Sequence, residues 1–212
     1  MGSGFLISQK GLIITNYHVI ERSNSIRAIF AADEFQYNTV VLAEDKTTDI
    51  AVLQISNYNQ TIAKGANIPF SKRDKIRSGT NVSTTGYPLQ YILGQSPITT
   101  SGMVNSTKGI EDDPKNFQIS IPVQPGNSGG IVYDNKGAAL GIIVGSINDE
   151  LMLYATGSLA QNVNFAIKFN YIEALLETID ENIQYASYLE CLIPHKLPYW
   201  DRNPSTQTKK PT

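Results

Sequence analysis

Eleven short apolar runs, each rich in Ile, Val, Thr, Tyr or Phe and each cut off by a cluster of Gly, Asn, Asp or Ser, set the strongest limit on how this chain folds. Runs of this length with β-branched side chains pack as strands, and no long helical period separates them. The body is therefore predicted to be all-β, a barrel or sandwich of short strands. The predicted strands run from Gly4 to Ile7, Leu12 to Thr15, Ile26 to Phe30, Tyr37 to Ala43, Ile50 to Ile55, Asn81 to Thr85, Ile98 to Val104, Phe117 to Ile121, Gly130 to Tyr133, Ala139 to Val144 and Val163 to Ile167. The polar stretch from Ser56 to Gly79 interrupts them and reads as the connection between two β halves.

Near the end the period changes. Ile172, Leu175, Leu176, Ile179 and Ile183 recur at steps of three and four, as on one face of a helix, and Asn170 with Glu173 three residues on resembles a capping arrangement that starts it. Beyond it, Pro194, Pro198, Pro204 and Pro211 exclude a regular element and predict a flexible tail. The units expected are thus residues 1–75, residues 76–168, and a helix with its tail over 169–212.

Composition excludes several classes of partner. Seventeen Lys and Arg against nineteen Asp and Glu give a net charge of -2, so nothing favours nucleic acid or an anionic membrane. Cys191 is the single cysteine, which rules out an intramolecular disulfide and a cysteine-based metal site. No apolar run reaches the roughly 18 residues a membrane span needs, and Met1-Gly2-Ser3-Gly4 opens without a charged and hydrophobic leader.

Chemistry points to Gly126-Asn127-Ser128-Gly129-Gly130, a serine set among glycines whose backbone enters turns closed to other residues. A serine nucleophile needs a base, and the chain has two histidines, His18 and His195. With His195, the order Ser, Asp, His and the G-x-S-x-G match call for the nucleophile elbow of the α/β-hydrolases, which needs a helix directly after the serine. Instead, two apolar runs flank Asp134-Asn135-Lys136-Gly137, a hairpin, and His195 lies in the tail. With His18 the order is His, Asp, Ser: a strand delivers His18 to a loop, and Asp49 stands at the lip of the apolar run Ile50 to Ile55. Asp45 is a rival carboxylate, in the charged stretch Glu44-Asp45-Lys46.

Four segments together resemble the trypsin-like serine proteases, specifically the HtrA (Deg) branch: Thr15-Asn16-Tyr17-His18-Val19, Thr48-Asp49-Ile50-Ala51-Val52-Leu53, Gln124-Pro125-Gly126-Asn127-Ser128-Gly129-Gly130 and Asn164-Phe165-Ala166-Ile167. They occur in the family's order, with 31 residues from His18 to Asp49 and 79 from Asp49 to Ser128, as in its compact bacterial type. The resemblance covers roughly Gly2 to Lys168. It implies two perpendicular, six-stranded-type β-barrels of the chymotrypsin kind, with His18 and Asp49 on the first and Ser128 on the second. It further implies a serine endopeptidase in which His18 takes the Ser128 proton, Asp49 fixes the imidazole tautomer and Ser128 attacks the scissile carbonyl. The oxyanion hole falls to the turn Gly126, Asn127 and Ser128, with the N–H groups of Gly126 and Ser128 as its donors. No metal or organic cofactor is called for, and the partner is a protein or peptide substrate.

Departures from the family pattern shape the finer expectations. Asn127, where digestive proteases have Asp, removes activation by a freed amino terminus and leaves loop ordering as the means of switching. Ser120 stands where the branch usually has Asp, and Pro122 where it has a small residue. Asn164 replaces a glycine, so a pocket of Pro122, Val163, Asn164 and Phe165 is expected to take small or medium apolar P1 residues rather than Lys or Arg. The loop from Gly145 to Asn162 is longer than usual and suited to gating the cleft. Relatives carry an earlier segment that completes the first barrel and often builds a trimer, so the first barrel is expected to lack its opening strand and the oligomeric state stays open. No PDZ domain follows the helix, and the family's frequent extracytoplasmic location is what the resemblance implies here. Two other functions are carried along: a catalytically silent protease fold that binds peptides, and a serine esterase that uses His195.

Overall fold

Each predicted run lies on a strand, and the pairing of the strands sorts them into two sheets. The computed structural model describes residues 1–8, 10–30, 36–58, 76–94, 96–146 and 163–179. Within them the strands are β1 (Phe5–Leu6), β2 (Leu12–Thr15), β3 (Ile26–Ile29), β4 (Gln36–Asp45), β5 (Ile50–Ile55), β6 (Asn81–Gly86), β7 (Ile98–Ser106), β8 (Asn116–Ile119), β9 (Ile131–Asp134), β10 (Ala139–Ser146) and β11 (Asn164–Lys168). A one-turn helix α1 (Tyr17–Ile20) follows β2, α2 (Gln90–Leu93) follows β6, and α3 (Phe169–Leu176) continues directly from β11.

The first sheet has the order β1-β2-β5-β4-β3, and the second is a closed barrel, β10-β11-β8-β7-β6-β9, all antiparallel. Among the described residues the first unit is an open, five-stranded half-barrel. Closure would need β1 to pair with β3 across the opening. The edge strand β1 pairs with β2 alone, Phe5 and Leu6 standing in register with Ile14 and Ile13, and β1 and β3 are the two free edges of the described sheet.

Packing explains why several runs are apolar without alternation. On β5, Ile50 and Val52 face one cluster while Ala51, Leu53 and Ile55 face another, so both faces of the strand are buried. On β2 the same division sends Leu12 and Ile14 one way and Ile13 the other. Val82, Val104, Phe117, Ile119, Val132, Ile143 and Ala166 fill the closed barrel. The cluster that Ile50 and Val52 face joins the halves: Leu12, Ile14, Ile50 and Val52 of the first sheet meet Ile131, Ile142 and Ile167 of the barrel and Phe169, Ile172 and Leu176 of α3. Burying a side chain of that size stabilises the fold by about 1.5–3 kcal/mol. The helix therefore bridges the two sheets as well as covering one.

The capping expected at Asn170 is not what starts that helix. Lys168 holds the N-cap position without a side-chain capping bond, and Asn170 lies inside the first turn, because the chain passes from β11 into the helix with no intervening loop. Ile179 packs against the joining cluster beyond the last helical residue. Ile183, Cys191, His195 and the predicted tail lie outside the described residues, as do residues 147–162 of the long loop.

Candidate active site

His18 enters the site on α1 rather than on the loop predicted for it; a single helical turn carries no period that a sequence could display. Asn16, fully buried at the N-cap position, donates from Nδ2 to the Asp49 carbonyl, and the Tyr17 N–H donates to the same oxygen. These two bonds fasten the start of α1 to the residue that precedes β5. Asp49 adopts φ +57, in the left-handed region that Asp tolerates better than most side chains. Asp45, the rival carboxylate, supports that turn: its Oδ1 accepts from the Thr47 N–H and its Oδ2 from the Thr48 hydroxyl, and these bonds hold its carboxyl below the usual range.

The turned-back Asp49 then meets His18 twice. Its Oδ1 accepts the backbone N–H of His18 at 2.9 Å, and its Oδ2 lies 2.7 Å from His18 Nδ1. A proton on Nδ1 leaves Nε2 with its lone pair free, the tautomer a general base requires. The hydrogen bond to Asp49, opposed by burial and helped by the carboxylate's charge, raises the His18 pKa above the ordinary imidazole value. The pair is not sealed from water: the His18 side chain is 43% exposed and that of Asp49 21%.

Ser128 comes from the turn between β8 and β9, and almost every backbone group of that turn has a partner. Gln124 O accepts from Asn127 N–H, Pro125 O from Leu89 N–H, Gly126 O from the Ser3 hydroxyl, Asn127 O from Gly130 N–H, and Ser128 O from Ser3 N–H. Gly129 N–H donates to Ile143 O. From Gly126 to Gly130, only the N–H groups of Gly126 and Ser128 lack an acceptor among the described residues. Asn127 joins the turn as a buried side chain, and its N–H is engaged by Gln124. Two glycines make the geometry feasible: Gly126, at φ +102, has the Tyr87 carbonyl where a Cβ would stand, and Gly129, at φ +84, has the Ser3 carbonyl and the Thr15 hydroxyl there.

The Ser128 hydroxyl donates to Val144 O at 3.1 Å, and no hydrogen bond joins it to His18. Val144 is the extra residue of a β-bulge: β10 and β11 shift register between Ile143 and Gly145, with Gly145 at φ +150. Bulges re-aim groups next to sites in this manner.

The expected pocket residues gather at the adjoining barrel edge. Asn164, only 4% exposed, turns its side chain inward and donates from Nδ2 to Ile121 O at 2.7 Å, while Pro122 next in the chain is exposed. Val163 and Phe165, on either side of Asn164, are half-buried. The Ser120 hydroxyl accepts the Met103 N–H. A cavity of about 490 Å³ among Ile76, Lys108, Pro114, Leu140, Lys168 and Tyr171 lies at the start of α3 and shares no residue with the site. No cluster of metal-ligating side chains occurs among the described residues.

Sequence reasoning passed over Ser3, Leu89 and Val144. Ser3 had one visible signal, its position between two glycines, Gly2 and Gly4. Backbone contacts such as those of Leu89 and Val144 leave none.

The closed barrel carries the braced serine turn and the half-barrel the His–Asp pair, and comparison with known proteins gives the class to which such a fold belongs. Residues 2–142 match the trypsin-like peptidase domain, and the chain belongs to that family. Its place in the HtrA branch follows from its relatives. It is 30% identical over 184 residues to the mitochondrial serine protease HTRA2 of Drosophila virilis and 31% identical over 180 residues to a probable serine protease do-like of Buchnera aphidicola. It is also 34% identical over 175 residues to the uncharacterized protein y4bJ of Sinorhizobium fredii. These matches cover 82–83% of this chain and between 26% and 39% of the relatives, so the chain spans well under half of their length. The crystal structure of a serine endoprotease from Yersinia pestis aligns with a TM-score of 0.67 at 26% identity, over 84% of this chain and 57% of that one, which makes the fold chymotrypsin-like.

Proposed function

We propose that the protein is a serine endopeptidase in which Ser128 is the nucleophile, His18 the general base and Asp49 the group that orients the imidazole. The observation that carries this is the state of the serine turn. Every carbonyl from Gln124 to Ser128 is bonded, and the N–H groups of Gly126 and Ser128 are left over, the donor pair that a tetrahedral oxyanion needs. Each such donor contributes on the order of 3 kcal/mol to acyl transfer. His18 Nε2 takes the Ser128 proton as Oγ attacks the scissile carbonyl, and returns it to the leaving amine; water then repeats the cycle on the acyl-enzyme. Asp49 stabilises the imidazolium that forms in between. Before attack, Ser128 Oγ rotates from Val144 O toward His18. That exchanges one hydrogen bond for another and involves about 1 kcal/mol each way.

Protein or peptide substrates follow from the same reading. The inward Asn164 and the absence of an acid at Ser120 and Pro122 support small or medium apolar P1 residues. No described helix is long and apolar enough to cross a membrane.

A catalytically silent peptide-binding module is the second reading, favoured by the bond from Ser128 to Val144 and the open link to His18. One experiment separates the two. The endopeptidase cleaves casein and takes a fluorophosphonate on Ser128, and both signals vanish in Ser128→Ala and in His18→Ala while thermal unfolding is retained. Peptide binding without turnover or labelling establishes the silent module instead. The esterase reading needs His195, and loss of activity in His195→Ala alone would restore it.

A further inference from the structure

We infer that Ser3 is a positioning residue for the oxyanion hole, an inference that rests on the endopeptidase reading above. Ser3 is buried, 4% exposed, and its hydroxyl sits between two distant turns. It accepts the Tyr87 N–H at 2.9 Å and donates to the Gly126 carbonyl at 2.6 Å, so both the proton and a lone pair of a small buried hydroxyl are used. Its main chain adds two contacts: the N–H donates to Ser128 O at 2.8 Å, and the carbonyl accepts the Thr15 hydroxyl at 2.7 Å.

The consequence lies in the freedom of Gly126. A glycine at φ +102 allows the peptide planes on both sides of it to rotate, and a rotated plane would turn a carbonyl where an N–H has to meet negative charge. Both planes are anchored here. The plane before Gly126 is held through Pro125 O by the Leu89 N–H, which sends the Gly126 N–H the opposite way, since the peptide is trans. The plane after it is held at both ends, through Gly126 O by the Ser3 hydroxyl and through Asn127 N–H by Gln124 O. Leu89 and Tyr87 belong to one turn, residues 87–89, and Ser3 links that turn to the serine loop. With both planes fixed the Gly126 N–H is set before a substrate arrives, and the Ser128 N–H, in the next plane along, is set by the bond from Gly130 N–H to Asn127 O. Of these anchors, only the Ser3 hydroxyl is a side chain, and so the one that substitution can remove.

Ser3→Ala in the full chain is the test, with steady-state cleavage of labelled casein, the second-order rate of fluorophosphonate labelling and thermal unfolding measured together. We expect kcat and the labelling rate to fall together by on the order of 10- to 100-fold, with KM within about twofold of wild type, because one misaligned donor acts on the transition state alone. Gly86→Ala supplies an independent disturbance. Its added Cβ would stand 2.9 Å from Ser3 Oγ and 3.0 Å from Asn127 Oδ1, and we expect the same loss of kcat with Ser3 in place. If both variants keep wild-type kcat, or if Ser3→Ala loses thermal stability alone, Ser3 merely packs the site and the inference is overturned. A wild-type protein that neither cleaves casein nor takes the label overturns the endopeptidase reading itself, a different result from an active wild type matched by an active Ser3→Ala.

Discussion

Asp49 does three things through one left-handed residue: its carbonyl fastens Asn16 and Tyr17, one carboxylate oxygen holds the His18 main chain, and the other holds the imidazole. The pH dependence of catalysis follows. His18 acts as a base only when neutral, and the bond to Asp49 raises its pKa above the ordinary imidazole value of about 6.5. Cleavage should therefore be full at alkaline pH and lost as pH falls through that raised value, so the acid limb of kcat/KM lies above pH 6.5. Asp49→Asn removes the first cause of the shift. It should move the limb to lower pH and cost on the order of 10³–10⁴ in kcat through the wrong tautomer, both read from one pH–rate series. A limb that stays in place would separate Asp49 from the base. His18, Asp49 and Ser128 could be singled out in the sequence because histidine occurs only twice and the aspartate and the serine each stand beside a recognisable backbone signal. Nothing in the letters told that the Asn127 N–H is engaged by Gln124, or that Ser128 rests on Val144, since both depend on carbonyl directions.

At the scale of the element, the serine turn is a short loop clamped from two sides. Gly129→Ala would place a methyl against Ser3 O and Thr15 Oγ1 and force alanine to φ +84. We expect destabilisation of about 2 kcal/mol or more and loss of fluorophosphonate labelling, measured by urea unfolding and by probe incorporation. The strands themselves were readable because burial on both faces of β2 and β5 wrote continuous apolar runs into Leu12-Ile13-Ile14 and Ile50-Ala51-Val52-Leu53. The elements that were misread are those whose cause is not periodic. α1 is a single turn stabilised by Asp49 rather than by its own sequence, and α3 starts where β11 stops.

Taken whole, the molecule depends on the cluster in which α3 meets both sheets. Ile172 is fully buried there, between residues of the half-barrel and the barrel. Ile172→Ala should cost about 2–5 kcal/mol in urea unfolding, and proteolytic activity should disappear in the same transition as the fold, since His18 and Ser128 sit on opposite sides of the joint that the helix secures. Two separated transitions would show that the halves unfold independently. The bond from Ser3 to Gly126 spans 123 positions of the chain, which has a bearing on biosynthesis. A ribosome releases Ser3 ahead of Gly126 by 123 positions, and contacts of such long range are the slow ones to close. On the endopeptidase reading, His18 and Asp49 are therefore made before the nucleophile, and the capacity to cut proteins arrives only when Ser3 and the 126–130 segment have found each other.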